Sequence, residues 1–200
     1  MSGKREAKKE ALRQAIINAA RQRIAESGLD ELRARDIAKD AGCAVGSLYT
    51  VFSDVDDVIL HVNSSTLTQL GSVMEAASNS ADSPQEVLVA LTVEYLKFAT
   101  ENRNIWAALF NHRLPEGAPA PEWHVAEHLV LMRWIAIPLA KLRPELDEKA
   151  LAVQSRILFA AVHGIVSLSL EGRFVAVRRR DIETQLVQFI NDIIRGFEKE

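Results

Sequence analysis

Apolar residues recur at intervals of three and four from one end of this chain to the other, and that period admits helices and little else. In the first segment Leu12, Ile16, Ala19, Ala20 and Ile24 form one stripe, and Gly28 is placed to end the helix. Two short helices are expected next, from about Arg35 to Ala41 and from about Val45 to Phe52, with Gly42 in the turn between them. Asp54 caps a long fourth helix, striped by Val58, Ile59, Val62, Leu70, Val73 and Ala77. Ser83-Pro84-Gln85-Glu86 opens a fifth, with Ser83 as N-cap, Pro84 at the first helical position and Glu86 closing a capping box. Its inner face is Val87, Leu88, Leu91, Tyr95 and Phe98. A shorter helix around Ile105–Asn111 leads through the PEGAPAP loop at 115–121 to a helix over Glu122–Leu142, which Pro138 is expected to kink. Two more, roughly Glu148–Leu170 and Asp181–Lys199, complete an all-α reading of about nine helices. No hairpin signature or strand alternation competes with it.

The last two helices carry more apolar surface than a chain of 200 residues can cover. From Ile157 to Leu170 the sequence ILFAAVHGIVSLSL is apolar nearly all round, and Ile182, Leu186, Phe189, Ile190, Ile193, Ile194 and Phe197 make a broad stripe on the final helix. A homodimer joined through residues 148–199 as a four-helix interface accounts for both. No run of about 18 uncharged apolar residues is read in the sequence, so no membrane partner is expected. The opening MSGKREAKKE is charged and has no apolar run behind it, which argues against a secretory signal. Cys43 is the single cysteine, so neither an internal disulfide nor a cysteine-only metal site can form. A cytoplasmic protein without cofactor or metal is the expectation.

Charge is distributed unevenly. The chain as a whole carries −3, yet Lys4, Arg5, Lys8, Lys9, Arg13, Arg21 and Arg23 face only Glu6 and Glu10 in the first 23 residues. A basic end on an acidic body suits a protein that touches a polyanion with that end alone.

The most informative stretch is Gly28–Val58, GLDELRARDIAKDAGCAVGSLYTVFSDVDDV. Gly42 supplies the left-handed backbone a tight turn after a helix needs. Ala38, four residues earlier, is small enough to let the second short helix cross close by. Ile37, Val45, Leu48 and Phe52 are expected to point inwards against the first helix. That leaves Gly46, Ser47, Tyr49 and Thr50, small or hydrogen-bonding, on an outer face of the kind a helix presents to a major groove.

The Ile37-Ala38 pair, Ala41-Gly42, Leu48-Tyr49 and Phe52, with Gly28 before them and an acidic capping stretch after, resemble the N-terminal signature of the TetR family over roughly residues 10–60. The resemblance implies a three-helix helix-turn-helix DNA-binding domain at 1–55 and a helical effector-binding and dimerisation domain at 56–200. It makes 45–52 the recognition helix on a double-stranded DNA operator. Ala44, Val45, Gly46, Ser47 and Thr50 then lie at base edges or phosphates, Tyr49 gives its hydroxyl to a phosphate, and Arg35 reaches backbone or bases from the preceding helix. Three positions depart from the family's habit. Ala44 stands where Ser or Thr usually caps, Val45 where a polar contact is common, and Val55, followed by Asp56 and Asp57, where a phosphate-binding Lys is frequent. Affinity then leans on the basic N-terminal arm, and sequence reading on apolar contact with thymine methyls.

HRLPEGAP and, further on, FAAVHGIVSLSLEGRF resemble the TetR C-terminal type named for its Trp, His and Gly, with His163 and Gly164 in place and Phe159 where that type has Trp. Such domains bind a small effector, which implies a pocket drawn from Trp106, Phe110, Met132, Trp134, Phe159 and His163. The aromatic content and scarcity of charge suit a small hydrophobic molecule. Gly164 is expected to let a neighbouring helix approach closely. His124 and His128 are four apart, a chelating spacing, but no third ligand follows. No nucleophile–base pair, carboxylate–metal set or phosphate loop points to an enzyme. The alternatives are a dimeric helical interaction protein, or a metal or redox sensor with weak DNA binding. Cys43 in the turn reads more simply as a small hydrophobe.

Overall fold

The structure, a computed structural model, describes residues 2–197 and is helical, with no strand among the described residues. Its helices are α1 (Ser2–Ser27), α2 (Ala34–Asp40), α3 (Val45–Leu48), α4 (Val55–Asn79) and α5 (Pro84–Glu101). They continue as α6 (Arg103–Asn111), α7 (Glu122–Leu142), α8 (Glu148–Glu171) and α9 (Ile182–Phe197). The expected helix to Lys199 ends beyond the described residues.

The boundaries follow local chemistry. Gly28 and Gly42 hold φ of 81° and 67° after α1 and α2, the left-handed backbone that costs other residues strain. The Asp54 carboxylate accepts the Asp57 N–H at 2.7 Å to start α4. At α5 the capping box is complete: Ser83 Oγ accepts from Glu86 N at 3.2 Å, and Glu86 Oε2 accepts from Ser83 N at 3.0 Å. Asp147 caps α8 by accepting from Ala150 N at 2.7 Å, and Gly172 closes it with φ 69°.

Internal packing divides the chain into two compact units, Met1–Thr66 with Asn102–His124, and Leu67–Glu101 with Val125–Glu200. The division falls inside α4 and takes α6 with the first unit, whereas the sequence reading drew its boundary at 55/56. The first unit has its own core, in which Ile16, Ala20 and Ile24 of α1 meet Ile37 of α2, Leu48 of α3 and Val58 and Val62 of α4. Phe52 joins it as expected, and Ala38 is fully buried. Val45 does not point inwards: it is 37% exposed, and Val51, at 8%, packs in its stead. The reason is the shortness of α3. Regular helix ends at Leu48, and the chain continues in tighter turns, Thr50 N to Ser47 O and Val51 N to Leu48 O, which swing Val51 inwards. Cys43 is partly buried against this core.

In the second unit α5 packs on α8 and α9. Leu88, Leu91 and Phe98 of α5, Leu158 and Val162 of α8, and Leu186 and Ile190 of α9 are all buried. Arg156 and Glu171 bound the uncharged stretch of α8, as expected; by length and composition alone the helix would still be apolar enough to cross a membrane, and only 22% of its apolar window is buried within this chain. The expectation at Gly164 is corrected, since a Cβ there would meet nothing within 4 Å; no helix of this chain approaches it closely.

The capping box yields a prediction. Hydrogen bonds from the Ser83 side chain and from the Ser83 and Asp82 backbone hold the Glu86 carboxyl below its usual range. A carboxyl lowered in the folded state contributes stability that is present above the unfolded value, about 4.3, and is lost as pH falls through the folded one. Glu86→Gln should therefore flatten the dependence of melting temperature on pH in the acid limb below that value, and Ser83→Ala should cost about 1 kcal/mol at neutral pH. An unchanged acid limb in Glu86→Gln would show that the box adds nothing to the fold.

Candidate nucleic-acid interface and effector cavity

The outer face of the α2–α3 pair is built from small and amphipathic side chains. Ala44, in extended backbone at φ −71° and ψ 149°, is the N-cap of α3 and offers no side-chain hydrogen bond. Ala44, Val45, Gly46, Tyr49 and Thr50 are exposed, Tyr49 to 50%, and Ser47 is half-buried beside them. Thr50 donates its hydroxyl to Ser47 O at 2.7 Å, so its oxygen is turned outward as an acceptor. Arg35 is exposed on α2, and so is Lys39, a cation the sequence reading left aside. Arg33 beside them is spent on the backbone, donating to Asp30 O and Leu32 O.

The basic N-terminus separates into two groups with different work. Arg23 pairs with Asp40 at 2.6 Å and reaches Asp36 at 4.0 Å, pinning α1 to α2. Arg21 donates to Thr66 Oγ1 at 3.1 Å. Arg13 donates to Val51 O at 3.0 Å and to His61 Nε2 at 2.5 Å, while its guanidinium lies 4.6 Å from the Phe52 ring centre. It thus ties α1 to the end of the α3 segment and to α4. No periodicity argument could have found that role, because Arg13 neighbours an apolar stripe and reads as a surface cation. Lys4, Arg5, Lys8 and Lys9 are exposed along the first turns of α1.

The acidic start of α4 is likewise occupied internally. Asp56 accepts from His112 Nε2 at 2.8 Å, and Asp57 accepts from Ser53 N at 3.0 Å. Both also sit at a helix N-terminus, where negative charge is stabilised. The acids that follow Val55 are committed to fixing α4 and the end of α6.

The second unit holds a small, partly open apolar pocket between α4, α5, α7 and α8. Three of the six residues singled out for a pocket, Met132, Trp134 and Phe159, are on its wall, together with Leu70 and Met74 of α4 and Thr92 and Tyr95 of α5. His163 stands just behind it: its Nδ1 is 2.7 Å from the Tyr95 hydroxyl, and its ring stacks on Phe159 at 5.6 Å. Burial lowers the proton affinity of this imidazole, which favours the neutral form. Trp106 and Phe110 are elsewhere. They belong to the first unit, with ring centres 5.5 Å apart, and Trp106 is 4% exposed. Their spacing on α6 records packing, and the sequence offered no sign that α6 folds with the N-terminal helices. His124 is buried in the first unit and His128 belongs to the second; no three metal-ligating side chains converge among the described residues.

Comparison with known proteins agrees with this architecture. Residues 16–62 match the family model for bacterial regulatory proteins of the tetR family, and residues 88–192 that of the tetracyclin repressor-like C-terminal domain. An uncharacterized HTH-type transcriptional regulator of Haemophilus influenzae is 31% identical over 110 residues, 54% of this chain and 54% of that protein. The chain therefore spans about half the length of that relative. A protein of unknown function from Rhodococcus sp. RHA1 shares the fold with a TM-score of 0.74 at 20% identity, over 92% of this chain and 94% of its own. RolR, solved in complex with the ligand resorcinol, does so with a TM-score of 0.67 at 19% identity, over 94% and 89%. The C-terminal match alone takes in more than half of the chain, the N-terminal match spans α2, the turn and α3, and the chain belongs to the TetR family.

Proposed function

We propose that the protein is a DNA-binding transcriptional regulator of the cytoplasm, a homodimeric repressor released from a palindromic operator by a small, largely apolar effector. The observation that carries the DNA reading is the outer face of α2–α3: Ile37, Ala38, Leu48 and Phe52 are buried behind it, and Tyr49, Thr50, Arg35, the half-buried Ser47 and the exposed Val45 are left on the other side. Tyr49 contacts a phosphate, Arg35 and Lys39 flank it, and Val45 with Ala44 meets thymine methyls. Lys4, Arg5, Lys8 and Lys9 supply the phosphate neutralisation that the α4 start does not.

Dimerisation is supported by the outer face of α8. Val153, Ile157 and Leu168 are 47%, 57% and 43% exposed and lie on one face with Ala160 and the half-buried Gly164. Phe189 and Ile193 of α9 are only half-covered. A two-fold partner presenting the same helices would bury this face, with Gly164 where a facing backbone can come close. The opposite side of α8 is packed on its own chain through Leu158, Val162, Val166 and Leu170, as an interface helix should be.

The effector reading rests on the cavity, and RolR with its bound resorcinol is a protein of this fold that takes a small ligand. α4 begins directly after the α3 segment and carries Leu70 and Met74 on the cavity wall, so it is the lever in this reading. Two recognition helices must sit about 34–36 Å apart, or a multiple, to enter successive major grooves, and a small tilt breaks the match.

Tyr49→Ala should weaken operator binding by about tenfold or more, the worth of a hydrogen bond to a charged group, with the circular dichroism melt unchanged. Deleting residues 2–9 removes four cations and should lower the slope of log affinity against log salt by up to about 3 to 4. A slope that stays put would refute the arm. Ile157→Glu or Ile193→Glu should give monomers in sedimentation; a variant that remains dimeric places the interface elsewhere. A wild-type protein that selects no sequence from random DNA would favour the interaction-protein alternative.

A further inference from the structure

The wall of the second unit's cavity contains aromatic rings, thioethers and aliphatic side chains, and no charged residue. An ionised carboxylate or ammonium placed there would lose its hydration with no opposite charge to replace it, a cost of several kcal/mol that in practice excludes the ion. Trp134, Phe159 and Tyr95 offer ring faces and edges, and Met74 and Met132 offer adaptable sulfur, a lining that suits a flat π system better than a flexible chain.

Hydrogen-bonding capacity is sparse on this wall and lies mainly at one place. The Thr92 hydroxyl donates to Leu88 O at 2.8 Å, within its own helix. The Tyr95 hydroxyl stands 2.7 Å from His163 Nδ1, at the side of the cavity where Phe159 stacks on the same imidazole. A phenol hydroxyl both donates and accepts, so a Tyr–His pair can orient one small polar group. Burial keeps His163 towards its neutral form, so the pair brings no net charge that could hold an anion.

We propose that this cavity takes an uncharged hydroxyarene, a flat aromatic molecule whose single hydroxyl engages the Tyr95–His163 pair. The inference deepens the effector reading above and rests on it.

The test uses the full-length protein and three probes with one skeleton: naphthalene, 2-naphthol and 2-naphthoate, with dissociation constants from equilibrium dialysis at neutral pH. 2-Naphthol should bind about 5- to 10-fold tighter than naphthalene, the value of one added hydrogen bond. 2-Naphthoate should bind at least about tenfold more weakly than 2-naphthol, because its charge is buried unpaired. In Tyr95→Phe the ratio of the naphthol to the naphthalene constants should collapse to about one. A ratio is informative even where the variant binds both probes less well, and Phe159→Ala, which disturbs the ring wall but not the hydroxyl, should weaken both together and keep the ratio. The inference is overturned if naphthoate equals naphthol, if the naphthol preference survives Tyr95→Phe, or if naphthol does not bind. Operator selection by the unliganded wild-type protein is read separately. Failure with the three probes beside intact DNA binding sinks the ligand class alone, whereas probe binding as expected without DNA binding sinks the regulator reading alone.

Discussion

The burial of Leu48 and Phe52 beneath α1 is the constraint on which the rest of the first unit depends. Four residues of regular helix cannot hold themselves together in water, because the nucleus costs more order than one hydrogen bond returns. α3 therefore has a defined orientation only because tertiary contacts impose it. Ile16, Ala20 and Ile24 supply the apolar half of that grip, worth roughly 1.5–3 kcal/mol for each large side chain buried. Arg13 supplies the polar half by taking the Val51 carbonyl, which the end of the segment leaves without a helical partner. His61 Nε2 lies against the same guanidinium while its Nδ1 lies 2.8 Å from Asp57 O. The outward residues of α3 are thus aimed by residues that face away from them.

What the sequence disclosed and what it concealed divide along the range of the interactions involved. Helix boundaries were legible because their signals are local: Gly28, Gly42, Asp54 and the Ser83–Glu86 box act within a few residues. The inward set was legible at Ile37, Leu48 and Phe52, which keep a helical period. It misled at Val45, since the period assumed an α-helix to Phe52 and the backbone tightens after Leu48. Long-range pairing was hidden. Nothing local says that Arg13 and His61 meet, that His112 answers Asp56, or that Trp106 and Phe110 pack in the first unit while Trp134 and Phe159 line a cavity in the second.

The departure at Val55, with Asp56 and Asp57 following it, acquires a physical reading once these contacts are known. An acid beside a DNA-facing surface is costly when it is free to face phosphates. Here Asp56 and Asp57 are turned to His112 and to the Ser53 N–H, and they complement the α4 dipole. Exposed cations of this unit include Arg35 and Lys39 on α2 and Lys4, Arg5, Lys8 and Lys9 on the first turns of α1. In the proposed reading the cations of the first turns of α1 add phosphate contacts that carry no sequence information, so their removal should alter salt dependence more than sequence preference.

The second unit follows a different logic, in which apolar surface is left over in two places of unlike shape. The exposed apolar face of α8 runs from Val153 to Leu168 and includes Gly164. In the proposed dimer a second copy of the chain would cover it. The apolar pocket lined from α4, α5, α7 and α8 is a recess of a different kind, the place the proposed effector would take. Linkage then fixes a relation between the two functions. If a ligand in that cavity lowers operator affinity by some factor, the operator must lower ligand affinity by the same factor. The apolar wall sets the scale of what is available, because a ligand can shift the equilibrium only by the difference between its affinities for the two states.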